Sequence, residues 1–132
     1  MKFQGNCMGY AFGIEDWLRP FRKWTTMYVA PSSKNRLQRV KESIQTLTST
    51  YNLKRVRVNT KLKENTKYIF YREAEYDFHF IVRTEKGHFY HKRGATSISR
   101  ISAKDVWANV WHSGKHNDPH YNSRLIIFEV LQ

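Results

Sequence analysis

The chain has 132 residues, with 23 Lys and Arg against 11 Asp and Glu, a net charge of +12. That length suits one domain, residues 1–132, with a single core, and 40% hydrophobic with 15% aromatic residues excludes a disordered chain. Coiled coil, repeat array, collagen-like chain and disulfide scaffold are excluded as well, the last because Cys7 is the only cysteine. No apolar run approaches the roughly 18 residues of a membrane span. A lone cysteine, and no apolar stretch behind Lys2, predict a cytoplasmic protein without a signal peptide. Release by lysis or through a holin is compatible with that reading.

In chain order, Asn6 predicts a helix start, and a helix running to Phe21 is weakened by Gly9 and Gly13 and stopped near Pro20. After Pro31, Ser32 and Ser33 offer an N-cap for a second helix. Leu37, Val40, Ile44 and Leu47 form its apolar stripe, and Arg36, Arg39 and Lys41 occupy the other face. Beyond Asn52 the period becomes two: Val56 and Val58 alternate with Arg55 and Arg57 in a half-buried strand. Residues 67–72, 78–84 and 88–92 read the same way, with Glu85-Lys86-Gly87 as the hairpin connection between the last two. Ser102 caps a short helix bearing Val106, Trp107, Val110 and Trp111, whose two tryptophans pack inward together. Residues 124–131 close the chain as an inner strand. Helices followed by mostly antiparallel strands make the fold α+β, with four to six strands in the sheet.

Charge is concentrated. Residues 34–63 carry nine Lys and Arg (Lys34, Arg36, Arg39, Lys41, Lys54, Arg55, Arg57, Lys61, Lys63) against Glu42, a local balance of +8. Lys54, Arg55, Arg57, Lys61 and Lys63 are therefore candidate contacts for an anionic partner: an anionic peptide, a cell-wall polymer, an acidic protein or nucleic acid. A solvated helix face beside a charged strand explains the same residues without any partner.

Chemistry points elsewhere. Cys7 lies at a helix N-terminus, where unpaired N–H groups and the helix dipole favour a thiolate. His79 and His91 fall on adjacent strands of one predicted hairpin, which gives a nucleophile, a base and a polar ring to orient the base. The bland alternative is a small buried hydrophobe and two structural histidines.

The segments Asn6-Cys7-Met8-Gly9-Tyr10-Ala11, Asp77-Phe78-His79-Phe80 with Arg83, and His91-Lys92-Arg93-Gly94, followed by Asp118-Pro119 and Tyr121, resemble the papain-like peptidases typified by NlpC. Within them these segments are similar to a subgroup of small bacterial and phage proteins. The resemblance covers the two ends of the chain and leaves 22–76 largely unmatched. It departs at Met8, where the common cell-wall enzymes carry Ser, and at Asn6, where they often carry Asp. It implies a papain-like fold and a cysteine peptidase or amidase. In it Cys7 is the nucleophile, His79 the general base and His91 the orienter, with the Cys7 N–H as an oxyanion donor and no cofactor.

Two other readings compete. His112, His116 and His120 are spaced four apart as metal ligands are on a helix, but Gly114 and Pro119 interrupt it, and a solvated loop is expected instead. A non-catalytic module is the main rival, with residues 53–58 as a cationic strand and Tyr68, Phe70 and Tyr71 as stacking rings for nucleic acid. A papain-like scaffold serving as an inhibitor of a host nucleic-acid machine is a hybrid of the two.

Overall fold

The computed structural model describes residues 4–20, 36–74, 77–93, 96–112 and 120–131. Its elements are α1 (Cys7–Phe12), α2 (Arg36–Thr50), β1 (Leu53–Val56), β2 (Tyr68–Glu73), β3 (Phe78–Arg83), β4 (Phe89–Lys92), β5 (Ile98–Ile101), α3 (Ala103–Val106), β6 (Trp111–His112), β7 (His120–Tyr121) and β8 (Ile126–Val130). The fold is α+β: six strands pair in the order β1-β8-β2-β3-β4-β5, every neighbouring pair antiparallel, with β6 and β7 as a separate ladder. No helix among the described residues is long and apolar enough to cross a membrane.

The sheet has a core on each face. One is formed by Cys7, Met8 and Ala11 of α1 and Val40 and Leu47 of α2, packed on Ile69, Tyr71, Phe80, Val82, Ile126 and Phe128. The other sets Val106 of α3, Trp111 and Tyr121 against Tyr68, Phe70, Ile81, Phe89 and Ile127. A strand covered on both sides has no wet face, so all six residues of β2 are buried, and β8, next to it, is buried from Ile126 to Glu129. The alternation legible in the sequence marks which core a residue joins, not inside against outside.

The first helix is much shorter than its sequence predicts. The Asn6 carboxamide accepts from the Gly9 N–H at 2.9 Å, and the chain turns out after Phe12 because Gly13 takes the left-handed conformation at φ 69°. Phe21, the predicted end, lies outside the described residues, as do Trp24, Ser32 and Ser33. The stripe of α2 is also displaced. Val40 and Leu47 are buried as expected, but Leu37 is 59% exposed and its place inside is taken by Arg39 and Ser43. Arg39 therefore does not belong to a solvated face: its Nε meets Glu73 Oε1 at 3.1 Å in the core. Ser102 does cap a helix, accepting from the Asp105 N–H at 3.2 Å, but α3 ends at Val106. Trp107 is 39% exposed and Trp111 sits on β6, so the two do not share a helix face. Val58 lies beyond the end of β1 and is exposed.

Candidate active site

Gly87 closes the hairpin between β3 and β4 at φ 87°, its N–H donating to the Thr84 carbonyl at 2.9 Å. The ladder then holds for two pairs, Arg83 with Phe89 and Val82 with Tyr90, and stops. Continued, it would set Ile81 against His91 and Phe80 against Lys92. Instead the pairing lapses, leaving a gap in the ladder where α1 begins against β3 and β4. The Cys7 Sγ points to the Phe78 carbonyl at 4.0 Å, and the N–H of Phe80 also faces the sulfur. The thiol thus takes up the backbone groups that β4 leaves unused. Lys92 anchors the other side of the gap, its ammonium donating to the Gly5 carbonyl one residue before the N-cap. Asn6 holds the outer loop, its Nδ2 donating to the Leu18 carbonyl at 2.7 Å and its Oδ1 accepting from the Leu18 N–H at 3.1 Å.

His79 and His91 lie on the opposite face of the sheet and close the same gap from there. His79 Nε2 is 2.9 Å from His91 Nδ1, and both rings are buried. Tyr121 lies over His79 at 5.3 Å between ring centroids, and Trp111 meets its edge at 6.1 Å. Arg72, the Cα partner of His79 on β2, covers Trp111 at 5.0 Å and donates to the Ser123 carbonyl at 3.1 Å, which ties this wall to the sheet. Tyr121 in turn donates to Asp77 Oδ2 at 2.8 Å, while Asp77 Oδ1 accepts from the Phe78 N–H at 2.8 Å. His79 Nδ1 makes no hydrogen bond among the described residues.

The structure therefore brings His79 and His91 into contact and places Cys7 against the peptide flanking His79, without a thiol–imidazole hydrogen bond. Its electrostatics also correct the helix-terminus expectation. The Cys7 thiol is pushed up to about 12, chiefly by burial, with the N–H groups of Phe80, Met8 and Cys7 opposing and the nearby Asp77 charge acting with burial. Burial likewise drives His79 down to about 3, with His91 and Arg93 adding repulsion, and His91 down to about 4. A six-residue helix whose first side chain is sealed from water loses more from desolvation than its dipole returns. The resting state is a neutral thiol beside two neutral imidazoles.

The basic candidates lie elsewhere. Lys54 and Arg55 are on β1, the edge of the sheet three strands from β3, roughly 14 Å away at about 4.8 Å per strand. Arg57, Lys61 and Lys63 follow in the connection to β2. Two strands, β8 and β2, thus separate Lys54 and Arg55 from the strand that carries His79. Lys63 is engaged by Glu129 at 3.4 Å, a half-exposed pair of small energetic weight. Arg55, Val56, Arg57, Val58 and Leu125 line an open groove of about 440 Å³. The stacking platform fails outright, since Tyr68, Phe70 and Tyr71 are at most 1% exposed.

Sequence reasoning turns Trp111 inward but puts it on a helix with Trp107 rather than on β6, and it missed the Tyr121–Asp77 contact. The signal for the wall was the pairing of Trp111 with Tyr121, which depends on a hairpin only two residues deep. Gly94, Asp118 and Pro119 lie outside the described residues. No protein-family model, curated protein or solved structure matches this chain.

Proposed function

We propose that the chain is a thiol-dependent amide hydrolase of papain-like type, with Cys7 as nucleophile, His79 as base and His91 as its orienter. The observation that carries this reading is the nitrogen left over at His79: Nε2 is committed to His91, and Nδ1, the ring nitrogen nearest its own backbone, has no partner among the described residues. A buried imidazole held by one nitrogen with the other free is what a general base requires, and Cys7 Sγ lies on the adjoining Phe78 peptide.

A neutral resting pair defines the order of events. On substrate binding the thiol and His79 close across the gap between β3 and β4, the thiol proton passes to His79 Nδ1 as sulfur attacks the amide carbonyl, and the Cys7 N–H at the helix start stabilises the oxyanion. The protonated imidazole gives its proton to the departing amine, leaving a thioester. Water deprotonated by His79 then releases the acid and restores the thiol. Tyr121 and Trp111 hold the ring of His79, and no cofactor takes part.

The exposed arginines support a second, separate feature, an anionic partner held at the β1 edge. Arg55 and Arg124 repel one another, and no carboxylate pairs with Arg55, Arg57 or Arg124 among the described residues.

The test is covalent. A series of peptidyl chloromethyl ketones is incubated with the full chain at neutral pH and followed by intact mass. One adduct on Cys7 is expected, absent in Cys7→Ser and slowed about 100-fold or more in His79→Ala, the usual weight of general-base assistance. Equal rates in the parent and His79→Ala, or no adduct in the parent across the series, would make Cys7 a core residue.

A further inference from the structure

The ladder of β6 and β7 is two residues deep, with Trp111 opposite Tyr121 and His112 opposite His120. Neighbouring residues on a strand point to opposite sides. Trp111 and Tyr121 accordingly face the core and enclose His79, while His112 and His120 are exposed on the outer side. The two outer imidazoles are not splayed into solvent as like residues on a surface usually are. Their Nδ1 atoms are 2.8 Å apart, with ring centroids at 4.7 Å and planes at 85°. Neither ring makes another hydrogen bond among the described residues.

Both rings turn Nδ1 to one point: one carries a proton that the other accepts, and once the donor ring shifts to its Nε2–H tautomer both Nδ1 lone pairs are directed there. A divalent cation bound tetrahedrally at about 2.0–2.1 Å from each nitrogen needs them roughly 3.3 Å apart. Exposed rings reach that by opening about half an ångström. Imidazole nitrogen selects zinc, copper or nickel over magnesium and calcium. No third His, Cys, Asp or Glu joins the pair among the described residues.

We propose that His112 and His120 chelate a divalent transition cation, with zinc as the reference ion, through their Nδ1 atoms. Binding clamps β6 to β7, the two strands whose inner side chains wall His79, so the cation stiffens that wall from behind. The site itself stands whether or not Cys7 is catalytic.

Zinc chloride is titrated calorimetrically into the full chain in the parent and in Cys7→Ser, which removes the only thiol. One zinc per chain is expected in both, with a rise in melting temperature as zinc is added and no heat from magnesium. His112→Gln and His120→Gln should each lose the binding and the thermal shift while melting normally without metal, and His88→Gln should keep both. As an independent readout, substoichiometric copper(II) should broaden the imidazole proton signals of His112 and His120 before those of His88. Absence of zinc binding in the parent, or binding with unchanged stoichiometry in either variant, overturns the proposal.

Discussion

Gly9 illustrates how one residue's role reverses between sequence and structure. In a helix interior a glycine costs roughly 1 kcal/mol relative to alanine, so propensity alone recommends replacing it. The space forbids this: a Cβ at Gly9 would lie 2.1 Å from the Asp16 carbonyl oxygen and 2.6 Å from that of Ile14. Both are backbone atoms, and the Gly9 carbonyl itself accepts from the Ile14 N–H at 2.8 Å. The glycine lets the loop after α1 fold back onto the helix, where Asn6 fastens it through Leu18. Gly9→Ala is therefore expected to destabilise by about 1–3 kcal/mol, the range for forcing a methyl into a packed contact. Urea denaturation measures it, and a stabilised variant would show that this loop yields freely. Gly13→Ala meets open space and bears only the left-handed penalty, about 1–2 kcal/mol.

Among the elements, α2 is joined to the sheet by polar as well as apolar contacts. Arg39 Nε bonds Glu73 Oε1, its Nη2 donates to the Ala74 carbonyl at 3.2 Å, and Ser43 Oγ and the Tyr71 hydroxyl both reach Glu73 Oε2. Burial raises the Glu73 carboxyl despite these donors, so the pair is costly to bury and costlier to break. Glu73→Ala should lose about 3–5 kcal/mol because it removes the counter-charge of a guanidinium buried in the core. Arg39→Met with Glu73→Leu should recover most of that loss. Chemical denaturation of Arg39→Met, Glu73→Leu and the double variant measures the coupling, and additive losses would mean that Arg39 finds another acceptor. The sequence made α2 legible through Val40 and Leu47 but hid this pair, since an arginine on a helix is ordinarily solvated. The same limit recurs at the site. Hairpin arithmetic across Gly87 was enough to bring His79 beside His91. The gap that admits Cys7 was not legible, because it depends on β4 leaving β3 after two pairs, a matter of tertiary packing. Nor was β2 legible as fully covered, for a layer built from four residues of α3 and a two-residue ladder leaves almost no periodic signal.

For the whole molecule, the buried imidazoles set the response to acid. His79 titrates near 6.5 in the unfolded chain and at about 3 in the fold, and His91 at about 4, each displaced by burial. A base with a depressed folded value gives stability that is complete above the unfolded value. That stability is lost as pH falls, because the unfolded chain takes up protons that the fold refuses. Below about pH 6.5, His79 alone should cost about 1.4 kcal/mol per pH unit, and His91 acts in the same direction. Glu73 and Asp77 oppose this at lower pH: burial raises both carboxyls, so the fold binds their protons before the unfolded chain does. The steepest loss therefore falls between the imidazole and carboxylate ranges, in mildly acidic solution. Urea midpoints at pH 7.5, 6.5 and 5.5 should be level over the first interval and drop sharply over the second. His79→Gln, whatever its stability at pH 7.5, should have a visibly shallower drop. An identical slope in parent and variant would mean that the His79–His91 pair opens to water before the chain unfolds, and with it the gap where Cys7 is held.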